Sequence, residues 1–278
     1  MGKLRQVSVV LFMGGSMLLA QMSMAGEAND PCDGRWEDVS RRFVQGHASA
    51  DYPGLLQAWK ALESTCGNSP RYRARLGLIH FYLDQPKEAK GVLAGISRDE
   101  EEREPLVQLV RILADAMLLR GGEAREADLE AIEQRLRDYA GSNPRDPVGV
   151  TLLGDVLAEL GRHEAAIHAY EAVLNAMGMS ARAVGVMRNL TISYEDVERH
   201  EDAYQLAGEA MSFDRAGLTA DLHFMCAVAK AQASLGKMKG ARDTLTLLGN
   251  KKPEVREHPA FRSAVEFVKA KMRENPGA

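Results

Sequence analysis

Two histidines and a glutamate stand close together at His163, Glu164 and His168, and these residue types bind zinc in many proteases. The zinc-protease motif places its histidines four residues apart, so that both project from one face of a helix. Here the histidines are five residues apart, which puts them roughly 140° apart around a helix. The spacing therefore argues against a zinc site.

Other catalytic patterns are also missing from the sequence. It contains no glycine-rich phosphate loop, no nucleophile elbow and no cysteine pair at metal spacing. We therefore expect a non-enzymatic protein with no catalytic residue, no metal and no cofactor. The alternative is an enzyme with an unrecognised site, which would need acids and histidines that converge in space.

The acidic stretch Asp99–Glu102 has two interpretations. It could be a recognition patch for a basic partner. It could instead be a solvated turn whose carboxylates favour the amino-terminal end of the following helix.

The amino terminus has the three parts of a secretory signal. Lys3 and Arg5 supply a positive start, Val7–Ala20 is an apolar run, and small residues at Ser23 and Ala25 precede the expected cleavage point. A retained membrane anchor is the alternative, but the run is short for a bilayer span. The sequence therefore predicts export to the periplasm or beyond the cell.

Removing this leader takes the formal net charge of the chain from -4 to -6. An acidic chain is a poor match for nucleic acid, which binds basic surfaces. No later segment is apolar for long enough to span a bilayer. We therefore expect neither a nucleic-acid partner nor a stable membrane span once the signal is removed.

Two cysteines flank the first predicted helix pair. Cys32 precedes a helix that carries Trp36, and Cys66 follows a helix that carries Trp59. Antiparallel helices of similar length bring these ends together, so we predict a Cys32–Cys66 disulfide in an exported chain. Closing that loop stabilises the fold by on the order of 4 kcal/mol. Two free thiols in a reducing compartment are the alternative, and Cys226 is predicted to be an unpaired packing residue.

Residues at helix-packing positions recur along the chain with nearly constant spacing. Consecutive members are 34, 38, 39, 37 and 38 residues apart. The six positions are Leu55, Ala89, Ala127, Ala166, Ala203 and Ala241. A fixed period in this range predicts stacked helix pairs, which present a surface rather than enclose a catalytic pocket. The sequence therefore predicts an all-α solenoid of about six antiparallel helix pairs.

The fourth unit carries the fullest pattern. Its residues are Leu153, Gly154, Leu157, Gly161, Ala166, Tyr170 and Val173. This resembles the tetratricopeptide repeat family, which places a Leu-Gly pair in helix A, a glycine in the turn, and a small residue four before an aromatic in helix B. The resemblance implies a right-handed superhelix.

The same comparison implies a domain organisation for the whole chain. We predict a signal peptide at 1–25, a linker at 26–31, a repeat domain at 32–255, and a capping helix with a tail at 256–278. The capping helix is expected to be amphipathic and to cover the open end of the stack with Phe261, Val265, Val268 and Met272.

In the family that this chain resembles, helix A of each repeat lines a concave groove that holds a peptide or a partner segment. The candidate groove residues are Leu78, Phe81, Thr151, Asp155, Arg188, Asn189, Glu195, His223 and Lys230. The apolar members, Leu78 and Phe81, could instead be ordinary core. Arg188 and Lys230 are the candidates to hold an acidic ligand.

Taken together, these features predict a scaffold or adaptor of the bacterial cell envelope that binds another protein or a peptide. A module that binds a glycan or a small ligand is the alternative, and stacked aromatic side chains in the groove would favour it.

Overall fold

The computed structural model describes residues 35–36, 38–39, 51–67, 69–120, 125–144 and 146–274. These residues form α-helices and short 3-10 turns and no β-strand, which confirms the predicted all-α fold. No helix among them is both long enough and apolar enough to cross a membrane. The predicted signal peptide and Cys32 lie outside the described residues, so the leader and the Cys32–Cys66 bridge stay predictions.

Internal contacts divide the chain into two compact units, the first ending at Leu160 and the second beginning at Gly161. The helices of the first unit beyond residue 50 are α1 (Tyr52–Lys60), α2 (Glu63–Cys66), α3 (Pro70–Tyr82), α4 (Pro86–Gly91), α5 (Arg98–Arg103), α6 (Pro105–Arg120), α7 (Glu126–Ser142) and α8 (Pro147–Glu159). The helices of the second are α9 (His163–Met177), α10 (Val184–Asp196), α11 (His200–Phe213), α12 (Arg215–Leu218), α13 (Leu222–Ser234), α14 (Met238–Lys251) and α15 (Pro259–Glu274). Short 3-10 turns at Ala181–Ala183 and Pro253–Glu257 precede α10 and α15.

Local signals begin several of these helices. The Ser69 hydroxyl accepts a hydrogen bond from the Tyr72 amide before α3, and the Asp146 carboxylate accepts one from the Val148 amide before α8. A proline follows each cap, where its missing amide hydrogen costs nothing and its fixed φ suits the first helical turn. These helix starts are therefore determined by neighbouring residues.

In the first unit, α3 packs against α4, and both pack against α6. At the closest approach, a Cβ on Gly77 of α3 would lie 3.2 Å from the Ala89 carbonyl oxygen and 2.8 Å from the Val110 side chain. Glycine at 77 therefore lets three helices meet closely.

Aromatic side chains tie α1 to α3. The Trp59 indole nitrogen donates to the Tyr72 carbonyl at 3.2 Å, and the Tyr72 hydroxyl donates to the Trp59 carbonyl at 3.1 Å. The Trp36 ring meets Trp59 edge-on at 4.8 Å between centroids, and both indoles are fully buried. These rings stabilise the packing of α1 on α3, because each buried aromatic side chain removes a large apolar area from water.

The predicted register of the third unit is wrong. Ala127, which was expected to pack between helices, is exposed on α7. The buried side of α7 carries Ile132, Leu136 and Tyr139. The small residue at this crossing is Gly149 of α8, where a Cβ would lie 2.5 Å from the Tyr139 ring. The close approach thus comes from the neighbouring helix, which the spacing of alanines could not indicate.

In the second unit, α10 pairs with α11 and α13 pairs with α14. Helix α13 also packs against both α10 and α11, and α15 packs against both α13 and α14. Ala203 of α11 and Ala241 of α14 are fully buried, as their places in the repeat pattern predicted. Two successive helix pairs and the last helix therefore stack with the same internal pattern of contacts.

Four turns share one unusual backbone conformation. A residue with φ between 58° and 74° stands five positions before Ala89, Ala166, Ala203 and Ala241 in turn. These four residues are Asp84, Gly161, Glu198 and Gly236. Because a side chain strains this left-handed region, glycine is the expected residue, and only two of the four turns have it.

Backbone hydrogen bonds explain why the conformation recurs in these turns. An amide reaches the carbonyl five residues earlier in the bonds Gln85 to His80, Arg199 to Tyr194 and Lys237 to Gln232, at 2.8–2.9 Å. A hydrogen bond between an amide and the carbonyl five residues earlier closes the carboxyl end of a helix, and the residue just before that amide then has the left-handed conformation. The turn geometry therefore repeats even where glycine does not.

Candidate functional site

The two apolar groove candidates of the first unit belong to its core. Leu78 is 1% exposed and Phe81 is 4% exposed, so neither side chain is available to a partner. The alternative interpretation, that these residues are ordinary core, is the one that the structure supports. Thr151 and Asp155 lie half-buried on α8, where the Thr151 hydroxyl donates to the Pro147 carbonyl at 2.7 Å.

In the second unit, an almost buried ion pair joins α10 to the start of α13. The Arg188 guanidinium bonds the Asp221 carboxylate through Nε at 2.9 Å and through Nη2 at 3.1 Å. Its Nη1 donates to the Asn189 side-chain oxygen at 2.6 Å. A carboxylate of the chain itself therefore already pairs with Arg188, and its role in holding an acidic ligand stays a prediction.

Asp221 has a second role that the sequence analysis missed. One of its carboxylate oxygens accepts a hydrogen bond from the Phe224 amide at 2.9 Å and caps the first turn of α13. Aspartate immediately before a helix is a strong capping signal, so this role could have been found from sequence. Its partner on α10 could not, because that residue lies 33 positions earlier.

Glu195 closes the other end of α10. Its carboxylate accepts a hydrogen bond from His200 at the start of α11, with 2.8 Å between Oε2 and Nδ1. Burial raises the pKa of Glu195, while the hydrogen bond from His200 and the charge of Lys230 act in the opposite direction. Glu195 therefore stabilises the α10–α11 turn and is too buried to contact a partner directly, being only 8% exposed.

His223 stands at the start of α13 beside the ion pair. Its ring meets the His258 ring edge-on at 5.7 Å between centroids. Burial lowers the pKa of His223, and the positive charge of Arg188 lowers it further. We therefore expect a neutral imidazole at neutral pH, able to donate one hydrogen bond and accept another.

Lys230 lies about two helical turns beyond His223 on α13 and is half-exposed. Its charge opposes the rise in the pKa of Glu195 that burial causes. Asn189, His223, Lys230 and His258 are all half-exposed, and we call these four residues the polar face. Four polar groups of this unit are thus partly accessible, whereas the Arg188–Asp221 pair is buried.

The surroundings of the polar face offer no activated nucleophile among the described residues. Cys226 is a free, buried thiol, as predicted, and burial raises its pKa to about 12. A thiol with such a pKa is not a thiolate at neutral pH and does not attack substrates. Within the described part of the chain, no group of three or more histidine, cysteine or acidic side chains could hold a metal ion.

The histidines of the apparent zinc motif point to different surroundings. His163 is half-buried with its Nδ1 3.6 Å from the Asp196 carboxylate, whereas His168 is exposed on α9. The two side chains of this helix therefore differ in burial and surroundings.

The acidic stretch Asp99–Glu102 forms the first turn of α5. The Ser97 hydroxyl accepts from the Glu100 amide at 3.3 Å, and the Glu100 carboxylate accepts from the Ser97 amide at 2.9 Å. This reciprocal pair is a capping box, and it holds the pKa of Glu100 below its ordinary value. Glu101 pairs with Arg111 of α6. The stretch therefore lies within a short helix and not in a turn before one, although its carboxylates do stand at a helix amino terminus as expected.

Comparisons with known proteins add no relative to this description: no family model matches the sequence, and no curated protein is significantly similar to it.

Proposed function

We propose that this chain is an exported helical repeat protein, similar in plan to tetratricopeptide repeat proteins, that binds a partner polypeptide on the polar face. In this proposal it serves as a scaffold or adaptor in the bacterial cell envelope and catalyses no reaction. The observation that carries the proposal is the polar face itself: three half-exposed polar side chains on the adjoining helices α10 and α13, with half-exposed His258 just before α15.

The repeated turn supports the resemblance to a helical repeat. Four left-handed residues precede four buried alanines by the same distance, and the contacts of α13 with α10 and α11 are repeated by α15 with α13 and α14. Repetition of one helix-pair unit is what produces an extended binding surface in such proteins. The order of helices therefore supports a solenoid with A-helix and B-helix positions.

The buried ion pair supports a binding role for the polar face. The ion pair of Arg188 and Asp221 links α10 to the start of α13. The polar-face residues Asn189 and His223, which adjoin the pair in the chain, are therefore already in position before a partner arrives. A surface that is ordered in advance loses less conformational entropy on binding. A neutral imidazole at His223 can donate to and accept from a peptide backbone, and Lys230 adds attraction for a carboxylate.

Site-specific photo-crosslinking in intact cells tests this proposal. A photoreactive residue at Asn189 or at Lys230 should give the same discrete crosslinked partner. The matched control is Glu209, an exposed position on α11, which should give no such product. Equal crosslinking from Glu209, or none from the polar face, would contradict the proposal.

Export is tested separately, so that its failure is not confused with failure of binding. The mature protein should be recovered from the periplasmic fraction with Gly26 as its first residue, and non-reducing peptide mapping should recover Cys32 linked to Cys66. A chain that keeps Met1, or a bridge that contains Cys226, would overturn this part of the proposal.

A further inference from the structure

The last helix of the second unit leaves a groove beside α14. The groove has a volume of about 340 Å³ and lies between α14, the 3-10 turn Pro253–Glu257 and α15. We call it the terminal groove. It is separate from the polar face, because none of the four polar-face residues lines it.

The floor of the terminal groove is apolar. Leu245 of α14 and Phe261, Val265, Val268 and Met272 of α15 line it. Val268 is buried, but Phe261, Val265 and Met272 are only half-buried, so the amphipathic last helix does not bury its whole apolar stripe within the described residues. The expectation that this stripe simply closes the stack is therefore met only in part.

Gly249 helps to form the groove. A Cβ at this position would lie 3.1 Å from the Arg256 Nε and 3.5 Å from the Phe261 ring. Arg256 and Phe261 therefore pack directly over the backbone of α14. The floor is continuous from α14 to α15 because no side chain stands between them.

The internal pattern of the unit indicates what shape fits there. The earlier helices in the same position, α10 and α13, are each followed by a helix that packs along them, namely α11 and α14. Helix α15 repeats their contacts with the preceding pair, but in the described part of the chain, which ends at Glu274, no helix follows it. A further amphipathic helix would complete the pattern.

The rim of the terminal groove indicates the charge of that helix. Arg242, Arg256 and Lys269 line it, and none of the described lining residues carries a carboxylate. Lys269 is paired with Glu266 at 2.8 Å, so Arg242 and Arg256 supply most of the available positive charge. In a chain whose formal net charge is -4, this local excess of cations is specific to the groove.

We propose that the terminal groove docks an amphipathic α-helix of a partner protein, with apolar residues along one stripe and carboxylates beside it. The apolar stripe packs on Phe261, Val265 and Met272, and the carboxylates pair with Arg242 and Arg256. Association of this kind combines apolar burial with electrostatic complementarity. It is independent of the polar face and of whether a partner binds there.

The test uses a fluorescent synthetic peptide of about four helical turns. One version has leucines along one stripe and glutamates on both flanks, and a twin has lysines in place of the glutamates. Fluorescence anisotropy with the full mature chain should show saturable binding of the glutamate peptide, at least ~10-fold tighter than the lysine twin. The preference should weaken as salt rises, because salt screens exposed charges.

Two variants locate the binding. The double variant Arg242→Glu, Arg256→Glu should bind the glutamate peptide at least ~10-fold more weakly than the unaltered chain does. The matched control is Lys239→Glu, Arg273→Glu, which changes the net charge equally at exposed positions on α14 and α15 outside the groove. The affinity of the control for the glutamate peptide should be within about 2-fold of that of the unaltered chain. We expect both double variants to remain helical, and only the first loses the rim arginines.

Four results would overturn the proposal. They are no saturable binding of the glutamate peptide, equal affinity for the two peptides, equal loss in the two double variants, and a chain whose groove is occupied by something else. The last is checked by sedimentation, where self-association abolished by Arg242→Glu, Arg256→Glu would assign the groove to a second copy.

Discussion

Arg188 and Asp221 join two helices of the second unit through a two-point ion pair whose side chains are 7% and 8% exposed. The same carboxylate caps α13, so one side chain both begins that helix and attaches it to α10. Because the pair is nearly excluded from water, its two charges depend on each other for stabilisation.

Removal of one member of the pair should be costly. Arg188→Met leaves the Asp221 carboxylate buried without its partner, and we expect a loss of about 3–5 kcal/mol in the free energy of unfolding. The exposed Arg182→Met is the control and should change stability by less than about 0.5 kcal/mol. Urea denaturation measures both. A loss at Arg188 no larger than at Arg182 would show that the pair does not stabilise the fold.

The double variant Arg188→Met, Asp221→Ser separates the pair from the cap, because serine can still accept the Phe224 amide bond. We expect it to be more stable than the sum of the two single losses implies, since neither charge is then left alone. Strict additivity would contradict this account. The result also decides which variant suits a binding assay. An Arg188→Glu variant would lose its partner if it unfolds, whereas Lys230→Glu changes only a half-exposed side chain.

Stability of the second unit should depend on the protonation of His223. Its pKa in the folded chain is below the ordinary value of 6.5, so the folded state binds fewer protons than the unfolded state as pH falls below that value. The stability contribution is therefore complete above pH 6.5 and is lost as pH falls toward the folded pKa. The charges that act on this imidazole include Arg188, Asp221 and His258.

His223→Gln should remove this dependence while keeping a polar side chain. Urea denaturation at about pH 7.5 and about pH 5 should show a smaller loss of stability on acidification in the variant than in the unaltered chain. The exposed His168→Gln is the control and should keep the full loss. If acidification affects the His223→Gln variant and the unaltered chain equally, titration of His223 does not contribute.

At two equivalent left-handed turns, we expect substitutions to change the stability of the chain in opposite directions. Glu198 has φ of 62° and an exposed side chain, so Glu198→Gly should relieve strain and stabilise the chain by about 1 kcal/mol. Gly236 has φ of 74° with open space around it, so Gly236→Ala should destabilise by about the same amount through the backbone alone. Thermal unfolding of both variants tests the pair. Shifts of the same sign would mean that the two turns are not equivalent.

The crossing of α7 and α8 should not tolerate a side chain at Gly149. The Tyr139 ring occupies the space that a Cβ would need, and its hydroxyl is held by the Asp146 carboxylate at 2.6 Å. Gly149→Ala should therefore destabilise by about 1–3 kcal/mol through overpacking. Gly141→Ala is the matched control, because that helical glycine has nothing within 4 Å and alanine has the higher helix propensity. Equal shifts in the denaturation midpoint would disprove the close contact.

Part of the candidate site was recognisable from sequence and part was not. Asn189, His223 and Lys230 were predicted on helices that lie together, and all three are half-exposed in the second unit. Glu195 was also predicted in the site, but its carboxylate is hydrogen-bonded to His200 within the chain. His258 was not found, because it lies outside any repeat and meets His223 only through the packing of α15 on α13.

The sequence by itself determined features that depend on residues within one or two helical turns. The caps at Ser69 and Asp146 and the turn glycines 161 and 236 belong to this class. Their conformations follow from local hydrogen bonds and backbone sterics, so the residue types and their spacing were sufficient. The all-α class followed from the same signals.

Only the tertiary structure decided which face of each helix meets a neighbour. A rotation of one residue turns a helix by about 100°, which is enough to bury Leu78 and Phe81, to expose Ala127, and to bring Arg188 against Asp221. Such rotations are set by the combined packing of several helices, including the contact of Tyr139 with Gly149. Periodic small residues indicate that helices pair, but the partners of individual side chains depend on residues that lie far apart in the chain.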